Sequence, residues 1–138
     1  MKYLFILISF LSSVQFSLAA EKAYTLQSGD ASLSVAKDGK RLSLQTGNAH
    51  YLSLNAPYVV TLEVNAETLN GYYSFVKAEK ESLVCIARLK SSHGTVFHVK
   101  DVFTPDTENH FRMDREVTIE KTGKGDDYFN SYFGLTLR

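Results

Sequence analysis

Three runs of sequence decide the fold: TVFHVKDVFTP (residues 95–105), HFRMDREVTIEKTG (110–123) and YFNSYFGLTLR (128–138). In the middle run the even positions are polar and the odd positions apolar, the latter being Phe111, Met113, Val117 and Ile119. This period of two predicts a β-strand with one face on a core and the other in water. Arg115 alone breaks the pattern, because it occupies a position on the apolar side. The third run alternates in the same way, with Phe129, Phe133, Leu135 and Leu137 on one side.

A β-hairpin is predicted over residues 31–45. Its strands, SLSVAK and KRLSLQ, flank Asp38-Gly39, a dipeptide that favours a two-residue turn of type I′. The register implied by that turn sets apolar residues opposite one another on one face, Val35 with Leu42 and Leu33 with Leu44. Matched apolar pairs of this kind support the register.

The rest of the chain carries short apolar runs separated by turn signals. Asn70-Gly71 predicts a second hairpin turn at the end of a loop over residues 65–71. About nine or ten short strands are expected in all, with no convincing helix beyond the N-terminal segment, and this spacing is typical of all-β sandwiches and barrels. We therefore predict an all-β fold, an antiparallel β-sandwich, as a single domain over residues 21–138.

The first twenty residues have the pattern of a signal peptide. Lys2 gives a positive start, residues 3–11 are apolar, and Ser17-Leu-Ala-Ala20 offers small residues for a signal peptidase, with cleavage after Ala19 or after Ala20. The apolar run is shorter than the ~20 residues that a membrane-spanning helix needs. We expect an exported protein, periplasmic or extracellular, without a membrane span in the mature chain.

Charge and composition exclude several classes of function. Removing Lys2 from the 15 basic residues leaves 14 against 15 acidic ones, a net charge of −1, which gives no electrostatic basis for binding nucleic acid. Cys85 is the sole cysteine and lies on the apolar side of its strand, so a buried small residue is expected rather than a reactive thiol. The four histidines show no metal-ligand spacing, and we expect neither a metal site nor a cofactor.

Carboxylates and tyrosines are the candidate functional residues. Asp101, Asp114 and Glu116 are candidates for acid/base chemistry on a glycosidic bond, with Asp101 and Glu116 the preferred two. Asp101 and Arg115 both occupy inward positions of neighbouring strands, which favours a partly buried structural pair instead. Asp126-Asp127 is interpreted as a solvated turn.

Aromatic residues suggest a surface for sugars. Tyrosines on a sheet face can stack on sugar rings, and the exposed pair expected to do so is Tyr128 and Tyr132. Core packing and ordinary sheet surface are the competing interpretation.

The stretch from Val99-Lys-Asp101 through Phe111-Arg-Met-Asp-Arg-Glu-Val-Thr-Ile119 to Asp127-Tyr-Phe-Asn-Ser-Tyr-Phe133 resembles a known pattern. It is similar to the N-terminal β-supersandwich domain of bacterial polysaccharide-active enzymes whose second domain is an (α/α)6 toroid, the six-hairpin glycosidases. The positions that carry the resemblance are Asp101, Arg115, Val117, Phe129 and Ser131, and they are architectural in that family.

The resemblance implies a supersandwich-like, non-catalytic domain that packs against a C-terminal catalytic (α/α)6 domain. Catalytic carboxylates of such enzymes belong mainly to the helical domain, which this sequence does not contain. We therefore expect the N-terminal portion of an exported bacterial glycoside hydrolase-like protein. The alternatives are a self-contained secreted domain that binds carbohydrate or protein, and a small enzyme that uses Asp101 or Glu116.

Overall fold

The computed structural model describes residues 22–46, 50–54 and 58–133, and for residues 50–54 it describes the backbone. Within these residues the chain forms eleven strands and no helix, so the predicted all-β fold is confirmed. The strands are β1 (Ala23–Ser28), β2 (Ala31–Ala36), β3 (Leu42–Thr46), β4 (His50–Leu54), β5 (Val60–Val64), β6 (Glu67–Gly71), β7 (Phe75–Ala78), β8 (Leu83–Lys90), β9 (Val96–Pro105), β10 (Phe111–Lys121) and β11 (Phe129–Tyr132). The segments assigned to the signal peptide, and Leu135 and Leu137, lie outside the described residues.

Three antiparallel sheets build a sandwich-like arrangement, with strand orders β1-β2-β3-β4, β10-β9-β8-β7 and β11-β5-β6. Their inner faces meet in one apolar core, because residues of alternate parity are buried along each central strand. The strand β11 pairs with β5 rather than with its neighbours in sequence, and it forms one edge of the smallest sheet. In the described part of the chain, no helix is long and apolar enough to cross a membrane.

The first two of the three runs that decide the fold become β9 and β10, which pair along their length. Alternation in β10 is confirmed, because its odd residues are half-buried and its even residues exposed. Ile119 departs from the prediction and is 45% exposed. The reason is local: β10 is an edge strand, and its pairing with β9 is interrupted by a bulge between Ile119 and Lys121.

The predicted hairpin forms with the predicted register, in which Leu33 faces Leu44 and Val35 faces Leu42. Its turn is not of type I′, which requires positive φ at both central residues. Only Gly39 has a positive φ, of 73°, while its N–H donates to the carbonyl of Ala36 and the N–H of Ala36 donates to the carbonyl of Arg41. The loop therefore spans residues 37–40, and the matched apolar pairs keep the register without the tighter turn.

The second predicted turn is wrong. Asn70-Gly71 lies inside β6, and residues 67–71 form a strand instead of a loop. The turn falls at Asn65-Ala66, between the paired residues Val64 and Glu67. Asn65 has a φ of 51°, a left-handed conformation that asparagine tolerates better than most side chains. Together with β1, β6 raises the number of strands above the expected nine or ten.

Gly39 generates a stability prediction, because a Cβ built there would lie 1.9 Å from the carbonyl oxygen of Tyr73. Gly94 is a matched control: it also has a positive φ, of 94°, but a Cβ built there meets nothing within 4 Å. We expect Gly94→Ala to cost about 1 kcal/mol, the usual cost of a left-handed Ala. Gly39→Ala should cost at least about twice that, since the backbone of Tyr73 must also move. Urea unfolding of the two variants measures the difference, and equal losses would contradict the close approach.

Candidate functional site

Asp101 and Arg115, the two residues expected to pair, form a bidentate ion pair between β9 and β10. The Nε of Arg115 donates to Oδ1 of Asp101 at 2.6 Å, and Nη2 donates to Oδ2 at 2.6 Å. The strand register sets the two residues directly opposite one another. The Asp101 side chain is fully buried and that of Arg115 is 8% exposed. A charge so deeply buried is tolerated only when it is paired and hydrogen-bonded.

Tyr73 completes the surroundings of this carboxylate. Its hydroxyl donates to Oδ2 of Asp101 at 2.5 Å. Burial raises the pKa of Tyr73 far above its ordinary value, and the neighbouring carboxylate raises it further. Burial opposes the charge on Arg115, but the hydrogen bonds and charge of Asp101 outweigh it, so the pKa of Arg115 is raised. The phenol thus stays neutral and donates, while the guanidinium stays charged.

The remaining donors of Arg115 reach the third sheet. Its Nη1 donates to Oγ of Ser131 at 3.0 Å and to the backbone carbonyl of Tyr132 at 2.8 Å. The guanidinium also lies 6.0 Å from the ring centre of Phe133. The ion pair therefore joins the β10-β9-β8-β7 sheet to β11. Sequence reasoning found the pair by its strand parity but gave no sign of its contact with β11.

The candidate catalytic carboxylates do not form an acid/base pair. Asp101 points into the core, whereas Glu116 is exposed on the outer face of β10, so the two lie on opposite sides of the same sheet. The carboxylates of a glycosidase must flank one glycosidic bond. Asp114 is also exposed, where it accepts a hydrogen bond from Arg112. Asp101, with its oxygens held by Arg115 and Tyr73, is therefore structural.

The prediction that Asp126 lies in a solvated turn is wrong. Its side chain is 4% exposed, and its Oδ2 accepts a hydrogen bond from Oγ of Ser91 at 2.6 Å. The Nδ1 of His93 lies 3.0 Å from Oδ1 of Asp126. Hydrogen bonds from Ser91, then Thr95, lower the pKa of Asp126 from 3.8 to about 2; burial opposes them and His93 adds to them. The carboxylate ties its loop to the turn after β8.

Ser91, His93 and Asp126 do not have the arrangement of a catalytic triad. In a triad the histidine accepts the proton of the serine hydroxyl. Here the hydroxyl of Ser91 donates to Asp126 and accepts from the backbone N–H of Thr95. Asp126 lies between the other two residues, so His93 does not accept the proton of the Ser91 hydroxyl and does not activate it as a nucleophile. The network is a structural link between two loops.

Among the described residues, no group of three or more His, Cys, Asp or Glu is placed to hold a metal ion. Cys85 is buried as predicted, directly opposite Asp101 on β9. Burial raises the pKa of Cys85 to about 12, and the charge of Asp101 contributes to the rise. Its thiol is therefore protonated at neutral pH, as suits a core residue.

The outward side of the β11-β5-β6 sheet brings both predicted tyrosines together with polar side chains. We call this surface the tyrosine face, and it consists of Thr61, Glu63, Thr68, Asn70, Asn130 and Tyr132 on the three strands, together with Tyr128, which directly precedes β11. The register aligns it in two rows across the strands, Tyr132–Thr61–Asn70 and Asn130–Glu63–Thr68. Tyr128 is 59% exposed and Tyr132 is 48% exposed.

Each tyrosine of this face is held at its hydroxyl end. The hydroxyl of Tyr132 donates to Oε2 of Glu63 at 2.6 Å, and that of Tyr128 donates to the carbonyl of Asn65 at 3.1 Å. The hydrogen bond to Glu63, followed by partial burial and the carboxylate charge, raises the pKa of Tyr132. A ring fixed at both its Cα and its hydroxyl loses little further freedom on binding a ligand. The tyrosine face is thus a prearranged aromatic and polar surface.

Two cavities lie beside these elements. One, of 210 Å³, is lined mainly by apolar residues of β2, β3, β9 and β10 and by Phe133. The other, of 230 Å³, lies next to the tyrosine face, where Tyr128 and Phe129 line it together with Asp126. Both are smaller than the roughly 300–1,000 Å³ of typical small-molecule sites. The tyrosine face is therefore the better candidate for a binding site.

Comparison with known proteins gives no match: no family model, no curated protein and no solved structure is detectably similar to the chain.

The buried ion pair generates a second prediction. Arg115→Met should cost about 3–5 kcal/mol, because it leaves the carboxylate of Asp101 buried without its partner. Arg112→Met on the same strand is the matched control, since its pair with Asp114 is exposed and should contribute less than about 1 kcal/mol. Urea unfolding measures both. A loss for Arg115→Met no larger than that of the control would refute the structural role of the pair.

A third prediction concerns acid stability. Because the folded state holds the pKa of Asp126 at about 2, below its ordinary 3.8, the unfolded state takes up a proton first as the pH falls. The carboxylate therefore stabilises the fold above about pH 4, and this contribution is lost between pH 4 and 2. Carboxyl NMR should show Asp126 titrating near 2, and Ser91→Ala should raise that value. Asp127→Asn, at the exposed neighbour, should leave the titration of Asp126 in place; a midpoint near 3.8 in the unmodified protein would contradict the network.

Proposed function

We propose that this chain is a non-catalytic carbohydrate-binding β-sandwich domain that binds sugar through the tyrosine face. The observation that carries the proposal is the pair Tyr128 and Tyr132, exposed on one side of a sheet and each held by its hydroxyl. Aromatic side chains with a polar tip suit ligands that present both apolar and hydroxyl-bearing surface. Sugar rings are ligands of that kind.

The polar members of the face support the same conclusion. Glu63 and Asn130 lie opposite one another in neighbouring strands, and Thr61 donates to Oδ1 of Asn70 at 3.0 Å. Carboxylate and amide groups together accept from and donate to hydroxyl groups. A few such groups around an apolar contact fix the orientation of a ligand. The tyrosine face combines both features on three adjacent strands.

The absence of an acid/base pair at the predicted positions favours binding over hydrolysis. Asp101 is occupied by Arg115 and Tyr73, and Glu116 lies on the other side of its sheet. The tyrosine face itself carries one carboxylate, Glu63, whereas hydrolysis of a glycosidic bond by the usual route needs two. We therefore assign the tyrosine face to binding.

The resemblance to six-hairpin glycosidases extends the proposal. Three of its positions, Asp101, Arg115 and Ser131, belong to one hydrogen-bonded network, which is consistent with their architectural role in that family. On this basis we propose that the chain is the N-terminal, supporting domain of an exported bacterial polysaccharide-active protein. It would pack beside a catalytic (α/α)6 domain and present sugar to it.

Removal of the tyrosine rings tests the binding function. We expect Tyr132→Ala and Tyr128→Ala each to weaken binding to polysaccharide by about tenfold or more, since truncating an aromatic anchor typically costs over 1 kcal/mol. Affinity electrophoresis of the full-length protein in gels that contain single polysaccharides measures the change.

The matched control is Phe75→Ala, because Phe75 is 48% exposed, like Tyr132, but lies on β7 in the β10-β9-β8-β7 sheet. It should leave the affinity unchanged, and circular dichroism should show all three variants folded. Equal losses for Phe75→Ala and Tyr132→Ala, or no loss for either tyrosine, would reject the tyrosine face as the binding site.

A further inference from the structure

We infer that the ligand of the tyrosine face is a neutral polysaccharide chain, bound along β11, rather than a uronate-containing or sulfated one. The inference rests on the proposed function and specifies the chemical class of its ligand. It follows from the charge of the surface, the hydrogen-bonding capacity of Glu63 and the separation of the two tyrosines.

The charged side chains of the β11-β5-β6 sheet are all acidic. The strands β5, β6 and β11 contain two carboxylates, Glu63 and Glu67, and no lysine, arginine or histidine. Of the two, Glu63 lies within the tyrosine face, whereas Glu67 is turned to the other side, where it accepts hydrogen bonds from Ser92. Lys124, the basic residue closest in sequence to Tyr128, is separated from it by Asp126 and Asp127. An anionic glycan would find no partner on these strands and would be repelled by Glu63.

Glu63 instead suits hydroxyl groups. An ionised carboxylate only accepts hydrogen bonds, with about four lone-pair sites on its two oxygens. The hydroxyl of Tyr132 uses one of these sites, on Oε2. The remaining sites can accept from sugar hydroxyls, which donate, but not from uronate or sulfate groups, which do not. Asn70, whose Oδ1 accepts from Thr61, keeps its amide N–H groups for donation to the same ligand.

The two tyrosines set a minimum length. They are four residues apart on an extended stretch, so their Cα atoms are about 13 Å apart. The rings reach across to the neighbouring chain segment, where their hydroxyls are held by Glu63 and by the carbonyl of Asn65, and an oligosaccharide that runs along β11 spans the distance between the two Cα atoms. The spacing therefore favours the interior of a polymer over a single sugar or a chain end.

The test compares uncharged and anionic oligosaccharides of matched length. Isothermal titration of the full-length protein would use hexasaccharides of neutral glucans, mannans and xylans, and of alginate, polygalacturonate and heparin, together with the neutral monosaccharides. We expect binding of at least one neutral hexasaccharide, at least about tenfold weaker binding of its monosaccharide, and no binding of the anionic series at physiological salt. Glu63→Gln should weaken neutral binding by about tenfold, because a charge-assisted acceptor becomes a neutral one.

The outcomes separate this inference from the function on which it depends. If an anionic hexasaccharide binds and Tyr132→Ala abolishes that binding, the tyrosine face binds carbohydrate but the inference of a neutral ligand is overturned. Equal affinity for a monosaccharide and its hexasaccharide would overturn the extended mode. If neither series binds, both the inference and the proposed function fail.

Discussion

The bidentate contact between Asp101 and Arg115 is the interaction on which the rest of the structure depends. It lies in the middle of the two longest strands, and it is enclosed by Cys85 on one side and by the hydroxyl of Tyr73 on another. An unpaired charge there would cost several kcal/mol, so any arrangement of the sheets that separates the two residues is disfavoured. The pair constrains the fold because its partners come from three separate parts of the chain.

The ion pair between Asp101 and Arg115 fixes the register between β9 and β10. A slip of one residue between β9 and β10 would turn the inward side chains of one strand outward. It would leave Asp101 opposite a residue that cannot neutralise it, since the neighbours of Arg115 are Asp114 and Glu116. Apolar residues alone would penalise the slip less, because in the correct register Met113 is only half-buried and Ile119 is exposed. The buried ion pair thus fixes the register of β10 against β9, which the partly buried apolar residues of this edge strand fix only weakly.

Local patterns in the sequence were sufficient for most of the strands, but not for β1 and β6 or for the contacts between distant strands. Matched pairs such as Val35 and Leu42 predicted the first hairpin, and the parity of Asp101 and Arg115 predicted the ion pair. Asn70-Gly71 misled because its composition favours a turn more strongly than that of Asn65-Ala66, and only the pairing of β5 with β6 shows that the turn lies at Asn65-Ala66. Pairing across the whole chain lies beyond what a local pattern can express.

In the candidate site, too, local patterns predicted that the tyrosines are exposed but not the contacts between distant residues. Exposure of Tyr128 and Tyr132 followed from strand alternation, whereas the contact of Tyr132 with Glu63 spans 69 residues of sequence and left no local sign. Asp126 looked like one of two solvated acids, because its partners Ser91 and His93 lie 35 and 33 residues away. Composition gives the chemical nature of such residues, but the fold decides which of them are buried.

Alternation along β11 connects the buried pair with the proposed binding surface. Ser131 points towards Arg115, whereas Tyr132, the next residue, presents its side chain to the opposite face. Arg115 also holds the carbonyl of Tyr132 itself, and the hydroxyl of that tyrosine is held by Glu63. The ring is therefore positioned from both ends, by a charge inside the protein and by a charge on its surface. The proposed binding surface therefore depends on the buried ion pair, because the ring of Tyr132 moves with the strand that carries it.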